Sequence, residues 1–201
     1  MGKRRTERGQ GLLELAVILP VLLILLIGLV EIGFALRDYL VVVNACREGC
    51  RFAARERFTL SDVHDRVVSA GGTIRLREPL RDVPFLRTSS IEGLDPNTGV
   101  IVTDISTDYS GEPLTVTVRF FGAFPDGAKP ISSTQIIDRH RPVTQEINAW
   151  RTDEGYEEVG NHIVMVEVFF MHHPLWNNPF VPLPDPIMMH AQTEMRAVGD
   201  V

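Results

Sequence analysis

The apolar positions of this chain run unbroken at first, then fall into a helical period, then alternate, and each pattern predicts an element. Residues 9–36, GQGLLELAVILPVLLILLIGLVEIGFAL, hold an apolar stretch from Leu12 to Leu36 with no charge between Leu15 and Val30. A hydrocarbon core of ~30 Å takes roughly 20 helical residues at 1.5 Å each, so the stretch is long enough to span a membrane. Pro20 removes one backbone hydrogen bond within it and is expected to kink the helix. Beyond Arg37-Asp38, Tyr39, Val42, Val43, Cys46, Cys50 and Ala53 recur at intervals of three and four, opposite Arg47, Glu48, Arg51 and Arg55. This predicts one helix from about residue 10 to 57, ~70 Å long, with its transmembrane part at about 12–36. Ala45, Cys46, Gly49, Cys50, Ala53 and Ala54 leave one flank narrow, so another element can approach closely.

The period then shortens. Thr59 or Ser61 can cap a second, short helix over roughly 61–70, ending at Gly71-Gly72. Thr98–Ser106 and Leu114–Phe121 are rich in β-branched and aromatic residues, with turn formers at Ser110-Gly111-Glu112-Pro113 between them, and read as a hairpin. Residues 122–161 carry charge and turn formers without a clear period, and are expected to form a loop-rich excursion with at most short elements. His162–His172 (HIVMVEVFFMH) is the strongest strand signal, and Ile187–Met195 predicts a closing strand. Between them Pro174, Pro179, Pro182, Pro184 and Pro186 predict a stiff extended loop carrying Trp176, Phe180 and Leu183. Together these elements predict an α+β fold: a long N-terminal helix, a short second helix and a small, mostly antiparallel sheet. The domain division is a basic leader at 1–9, the long helix at 10–57, and an extracytoplasmic α+β domain at 58–201.

Charge sets the expected orientation. The net charge is −6, of which residues 1–9 contribute +3 from four basic residues and one acid, leaving −9 for the remainder. A basic flank ahead of a span stays cytoplasmic, so the C-terminal domain is expected outside. An acidic domain lacks the Lys and Arg that nucleic acid requires, so nucleic acid is not an expected partner. The apolar core exceeds the 7–15 residues of a secretory signal and no A-x-A-like site follows it, so the span is expected to be retained. Val43-Asn44-Ala45-Cys46 resembles a lipoprotein cleavage site but lies too far beyond the apolar core.

Candidate chemistry is sparse. Cys46 and Cys50 share a helical face but are poorly aimed at each other for a disulfide, and C-x-x-x-C lacks the second ligand pair that zinc requires. They read as small apolar residues on a packed face. Glu14 stands out: a carboxylate at the edge of an apolar span must sit at headgroup level, be neutral or be paired. Glu31, at the other end, has the same choices, and headgroup placement is the better account of it.

Arg8-Gly9-Gln10-Gly11-Leu12-Leu13-Glu14-Leu15 resembles the class III signal of type IV pilin-like proteins. The longer pattern RGQGLLELAVILP…GLVEIGFAL…VNACREGCRFAA resembles the TadE-like minor pilin or pseudopilin family of tight-adherence (Flp) pilus systems, closely over residues 8–54 and again around Glu194-Met195-Arg196. The family commonly has Ala where this chain has Cys46 and Cys50. The resemblance implies leader processing by a prepilin peptidase between Gly9 and Gln10, with Glu14 pairing the new N-terminal amine of a neighbouring subunit. It implies as partners other pilin-like subunits, pilus assembly proteins, the peptidase and the lipid bilayer. The expected place is the bacterial cytoplasmic membrane, N-terminus inside, with the cell surface or a pilus as further destinations.

Other readings are weaker. His140, His162, His172, His173 and His190 fit exposed or interfacial positions better than a metal site, because neighbours 172 and 173 point to opposite faces of a strand. Asp104-Ile105-Ser106-Thr107-Asp108 resembles the metal-dependent adhesion loop of von Willebrand A domains, although a turn after a strand explains it better. No G-x-S-x-G, P-loop or G-x-G-x-x-G is present, so neither enzymatic activity nor a cofactor is expected. The sequence therefore predicts a minor pilin-like assembly component of a tight-adherence pilus or related type II/IV secretion apparatus. The alternative is a membrane-tethered binding or adhesion domain unrelated to pili, using Asp104 and Ser106.

Overall fold

A computed structural model describes residues 3–55, 58–71, 98–122, 124, 127–172, 174 and 187–196, the side chains of residues 3–10 excepted. In chain order its elements are α1 (Lys3–Ala53), α2 (Leu60–Gly71), β1 (Thr98–Thr107), β2 (Pro113–Gly122), α3 (Ser133–Asp153), β3 (Asn161–His172) and β4 (Ile187–Arg196). The proline-rich segment with Trp176, Phe180 and Leu183, and His173, lie outside the described residues. Two compact units are present, Met1–Arg37 and Asp38–Val201.

The first unit is the N-terminal part of α1. The helix takes in the basic residues ahead of position 10 and later ends at Ala53, short of 57. Its large apolar side chains from Leu12 to Leu26 are all exposed, a surface that water does not tolerate at this extent. It is long and apolar enough to cross a membrane.

In the second unit, four strands form one antiparallel sheet in the order β2-β1-β3-β4. The fold is α+β, with the long helix, the short helix and the sheet that the patterning predicts. β3 lies between β1 and β4 and is buried almost throughout, which is why its sequence reads as a continuous apolar run rather than an alternation.

Each face of the sheet carries a helical layer. On one, the α1 segment beyond Asp38 packs on β3 and β4 through Val42, Ala45, Cys46, Cys50 and Ala53, all buried. The buried stripe is rotated slightly from the expected one: Ala45 and Gly49 join it, while Tyr39 is 43% exposed. A Cβ on Gly49 would collide with Val67 Cγ2 of α2 and lie 3.5 Å from Val166 of β3 and 3.7 Å from Val63. Gly49 is thus where α1, α2 and the sheet approach most closely. The cysteines are free and buried. Cys46 Sγ–H donates to Ala191 O at 3.4 Å, and Cys50 Sγ lies 2.9 Å from Thr193 O. Burial pushes both thiols up from their ordinary pKa, which suits inert packing residues.

On the opposite face, Ile136 and Ile137 of α3 pack on Ile105, Ile163 and Met165, with Ile131 at the margin. α3 corrects the expectation for 122–161: this region holds a 21-residue helix, not merely a loop-rich excursion. Two features hid it. Pro142 sits inside the helix, where proline ordinarily costs about 3 kcal/mol. Its buried positions also turn polar after Ile137, continuing as Thr144 and Asn148. Those two are satisfied by distant groups: Asn148 Nδ2 donates to Tyr109 O (2.8 Å) and Val159 O (2.9 Å), and Thr144 Oγ1 accepts from Asn161 Nδ2 (3.0 Å). The helix opens on a capping box formed by Ser132 and Gln135, a local signal that the sequence reading did not use.

Candidate assembly helix and its buried polar anchors

α1 carries the residues singled out in the sequence. Gly9 and Gln10 lie within the helix, their side chains outside the described set. Glu14 is exposed and makes no hydrogen bond or ion pair among the described residues. The helix continues through Pro20 without a break in its assignment. Glu31 is 7% exposed. Glu14 stands as a carboxylate on an apolar helical surface, with nothing among the described residues to neutralise it.

The segment that joins α1 to the sheet is held by polar groups that sequence reasoning placed elsewhere. Asp38 was given no role from the sequence, and His172 was expected as an exposed or interfacial histidine. Both are buried, at 1% and 2% side-chain exposure, and His172 Nδ1 lies 2.8 Å from Asp38 Oδ2. Asp38 Oδ1 makes no hydrogen bond among the described residues. A signal for Asp38 was available: 38, 42, 46 and 50 are spaced by four, so an acid lies on the apolar stripe itself.

A second buried acid organises the other face. Glu167 of β3 is fully buried, and its Oε1 accepts from Ile131 N–H at 3.1 Å and lies 3.1 Å from His190 Nε2 of β4. Burial raises the Glu167 pKa, Ile131 N–H and His190 oppose the rise, and Glu194 adds to it. The His190 ring stacks on Phe169 with centroids 4.3 Å apart, which fixes its orientation. Four residues further along β4, Glu194 receives Arg139 and lies 2.8 Å from His140 Nε2, tying α3 to the sheet.

His162 and Asp104 form a further pair across β1 and β3, with Phe58 stacked on the imidazole at 6.2 Å. Every described histidine thus faces a carboxylate, His64 doing so with Asp65. Asp104 and Ser106 lie within β1 rather than in a loop. Asp108 begins the turn, accepting from Ser110 N–H, Ser110 Oγ–H and Glu112 N–H, which hold its carboxyl below the usual carboxylate pKa. Among the described residues no three His, Cys, Asp or Glu side chains come together as a metal site.

The His162 pair makes stability depend on pH. The hydrogen bond His162 donates to Asp104 raises the His162 pKa above its ordinary value of 6.5 against the opposing effect of burial. A raised histidine stabilises the fold fully below the unfolded pKa and loses that contribution as pH rises through the folded value. At 22% side-chain exposure, solvent screening keeps the effect under about 1 kcal/mol. His162→Gln is expected to remove this part of the stability loss between about pH 6 and 8, as read from denaturation midpoints across that range. An unchanged slope would show that the pair does not titrate as described.

A helix long and apolar enough to cross a membrane, and a four-stranded antiparallel sheet covered by helices on both faces, define the class among the described residues: an α+β protein with one candidate N-terminal span. Residues 9–51 match the family model described as TadE-like protein. The match falls on the stretch that resembles that family in sequence, and it bears the resemblance out there. No curated protein and no solved structure matches the chain.

Proposed function

We propose that this protein is a non-enzymatic minor pilin-like component for assembly of a tight-adherence (Flp) pilus or a related type II/IV secretion apparatus. It sits in the bacterial cytoplasmic membrane as a single-pass protein, N-terminus inside and the sheet domain outside. The observation that carries this reading is the TadE-like match over residues 9–51, coinciding with an apolar helix on which Glu14 has no partner among the described residues.

Cleavage after Gly9 by a prepilin peptidase leaves an ammonium on Gln10 at the membrane boundary. Glu14 lies one helical turn further, an axial rise of ~6 Å. A neighbouring helix displaced along its axis by that rise sets its Glu14 against this cation. In a low-dielectric setting an unpaired carboxylate is costly, so the pair favours assembled over isolated helices. The partners in this reading are other pilin-like subunits and pilus assembly proteins.

Two measurements test it. Mass spectrometry of the protein recovered from membranes is expected to find Gln10 as the N-terminus. Glu14→Ala is expected to cut co-purification with pilus components at least about tenfold, equivalent to about 1.4 kcal/mol, while leaving the domain folded. An intact leader together with unchanged co-purification would sink the proposal and leave a tethered binding domain.

A further inference from the structure

We propose that the sheet domain carries a self-docking contact, in which the Arg47, Arg51 and Arg55 stripe at the end of α1 in one copy receives the Trp150–Glu158 end of α3 from the next. This deepens the assembly reading and rests on it for its setting, the membrane plane shared by many copies.

The first support is placement. On one face of the sheet α1 runs from Asp38, at His172, to Cys50, at Val164. On the other face the α3 layer runs from Ile131, at Glu167, to Asn148, at Val159. Both helices therefore finish at the same end of the sheet, on opposite faces. Copies standing side by side in one orientation then bring the α1 end of one toward the α3 end of the next. Proteins whose helices cross the same membrane in one direction have that relative orientation available.

The second support is charge complementarity. Arg47 and Arg51 are spaced by four on the exposed side of α1, and Arg55 follows, exposed, in the turn just past its end. Arg47 and Arg55 make no ion pair among the described residues. Arg51 reaches Glu48 only at 3.7 Å, and Glu48 is already taken by Arg66 at 2.6 Å. At the other site Asp153, Glu154, Glu157 and Glu158 are exposed and without ion pairs among the described residues.

The third support is the aromatic pair set among those acids. Trp150 and Tyr156 are each 58% exposed and stack at 6.0 Å. The Arg151 guanidinium already lies 5.7 Å over the Tyr156 ring, so the ring pair suits this cation geometrically. Guanidinium groups stack on aromatic faces while pairing with carboxylates, a combination that lysine serves less well. Isolated exposed ion pairs contribute little, whereas rings together with several charges give a contact with direction. Because the two patches differ, the contact is heterologous and repeats from copy to copy in a row rather than closing a dimer.

The test uses the full chain in its membrane. Differently tagged copies carrying Arg51→Cys and Glu157→Cys are co-expressed and mildly oxidised. The native cysteines are buried and compete little. The expected product is a mixed disulfide dimer in excess of either homodimer. Arg51→Glu with Arg55→Glu is expected to lower self-association about tenfold, as is Glu157→Arg with Glu158→Arg. All four changes together are expected to restore it. Homodimers equal to the mixed product, charge reversals without effect, failure of the combined variant to recover, or capture of a different protein in place of the second copy would each overturn the contact. If Glu14-dependent co-purification persists while the cross-link fails, only this contact is wrong. If the cross-link forms without Glu14 dependence, the assembly reading fails instead.

Discussion

Asp38→Ala is expected to lower the stability of the sheet domain by about 3–5 kcal/mol, the loss typical of removing one partner from a buried carboxylate–imidazole hydrogen bond. Asp38 and His172 are almost completely buried, so removing the carboxylate takes a 2.8 Å hydrogen-bond partner from a buried imidazole and leaves a cavity in its place. For a domain of this size the loss corresponds to a fall in melting temperature of about 10 °C. Thermal unfolding of the full chain in detergent, followed by near-ultraviolet circular dichroism, measures it. Asp38→Leu combined with His172→Phe should recover much of the loss, because apolar replacement of both partners removes the desolvation penalty along with the pair. A single variant as stable as the wild type would show that the pair does not hold α1 to the sheet.

Gly49→Leu should be nearly as damaging, by about 3 kcal/mol. Leucine favours helix over glycine by somewhat under 1 kcal/mol, so propensity alone predicts stabilisation. Packing reverses the sign. Even a Cβ at this position would collide with Val67 of α2, with Val166 of β3 close behind, and Val67 is 2% exposed and cannot swing away. α2 would have to leave α1, uncovering Val63 and Val67. Hydrogen exchange should then show faster exchange in Leu60–Gly71 than in β3. A Gly49→Leu protein with unaltered α2 protection would contradict the close approach.

Much of this architecture was legible because it depends on neighbours along the chain. The span follows from a run of apolar side chains longer than the hydrocarbon core. α2, the hairpin of β1 and β2, β3 and β4 fall where local period and turn residues put them, and no observed strand end differs from its expected bound by more than one residue. Glu14 stands out as an acid against an apolar run, whereas the Gly9-Gln10 junction is implied only by the resemblance to the TadE-like family.

α3 escaped because half of its buried face is polar, and polarity reads as exposure until a partner is known. Asn148 is satisfied by Tyr109 and Val159, and Thr144 by Asn161, groups that nothing local associates with them. Asp38 and His172 lie 134 residues apart, and each alone reads as a surface charge. Glu167 stands in the middle of the most apolar strand, yet whether that acid is tolerable depends on His190 across the register and on Ile131 ahead of α3. Side-chain spacing thus settles most of the segments that become helix or strand and which one is long and apolar enough to cross a membrane, since those choices are made within a few residues. Which buried polar groups meet is settled only when sheet register and helix docking bring remote segments together, because a charge can leave water only where its counterpart is already in place.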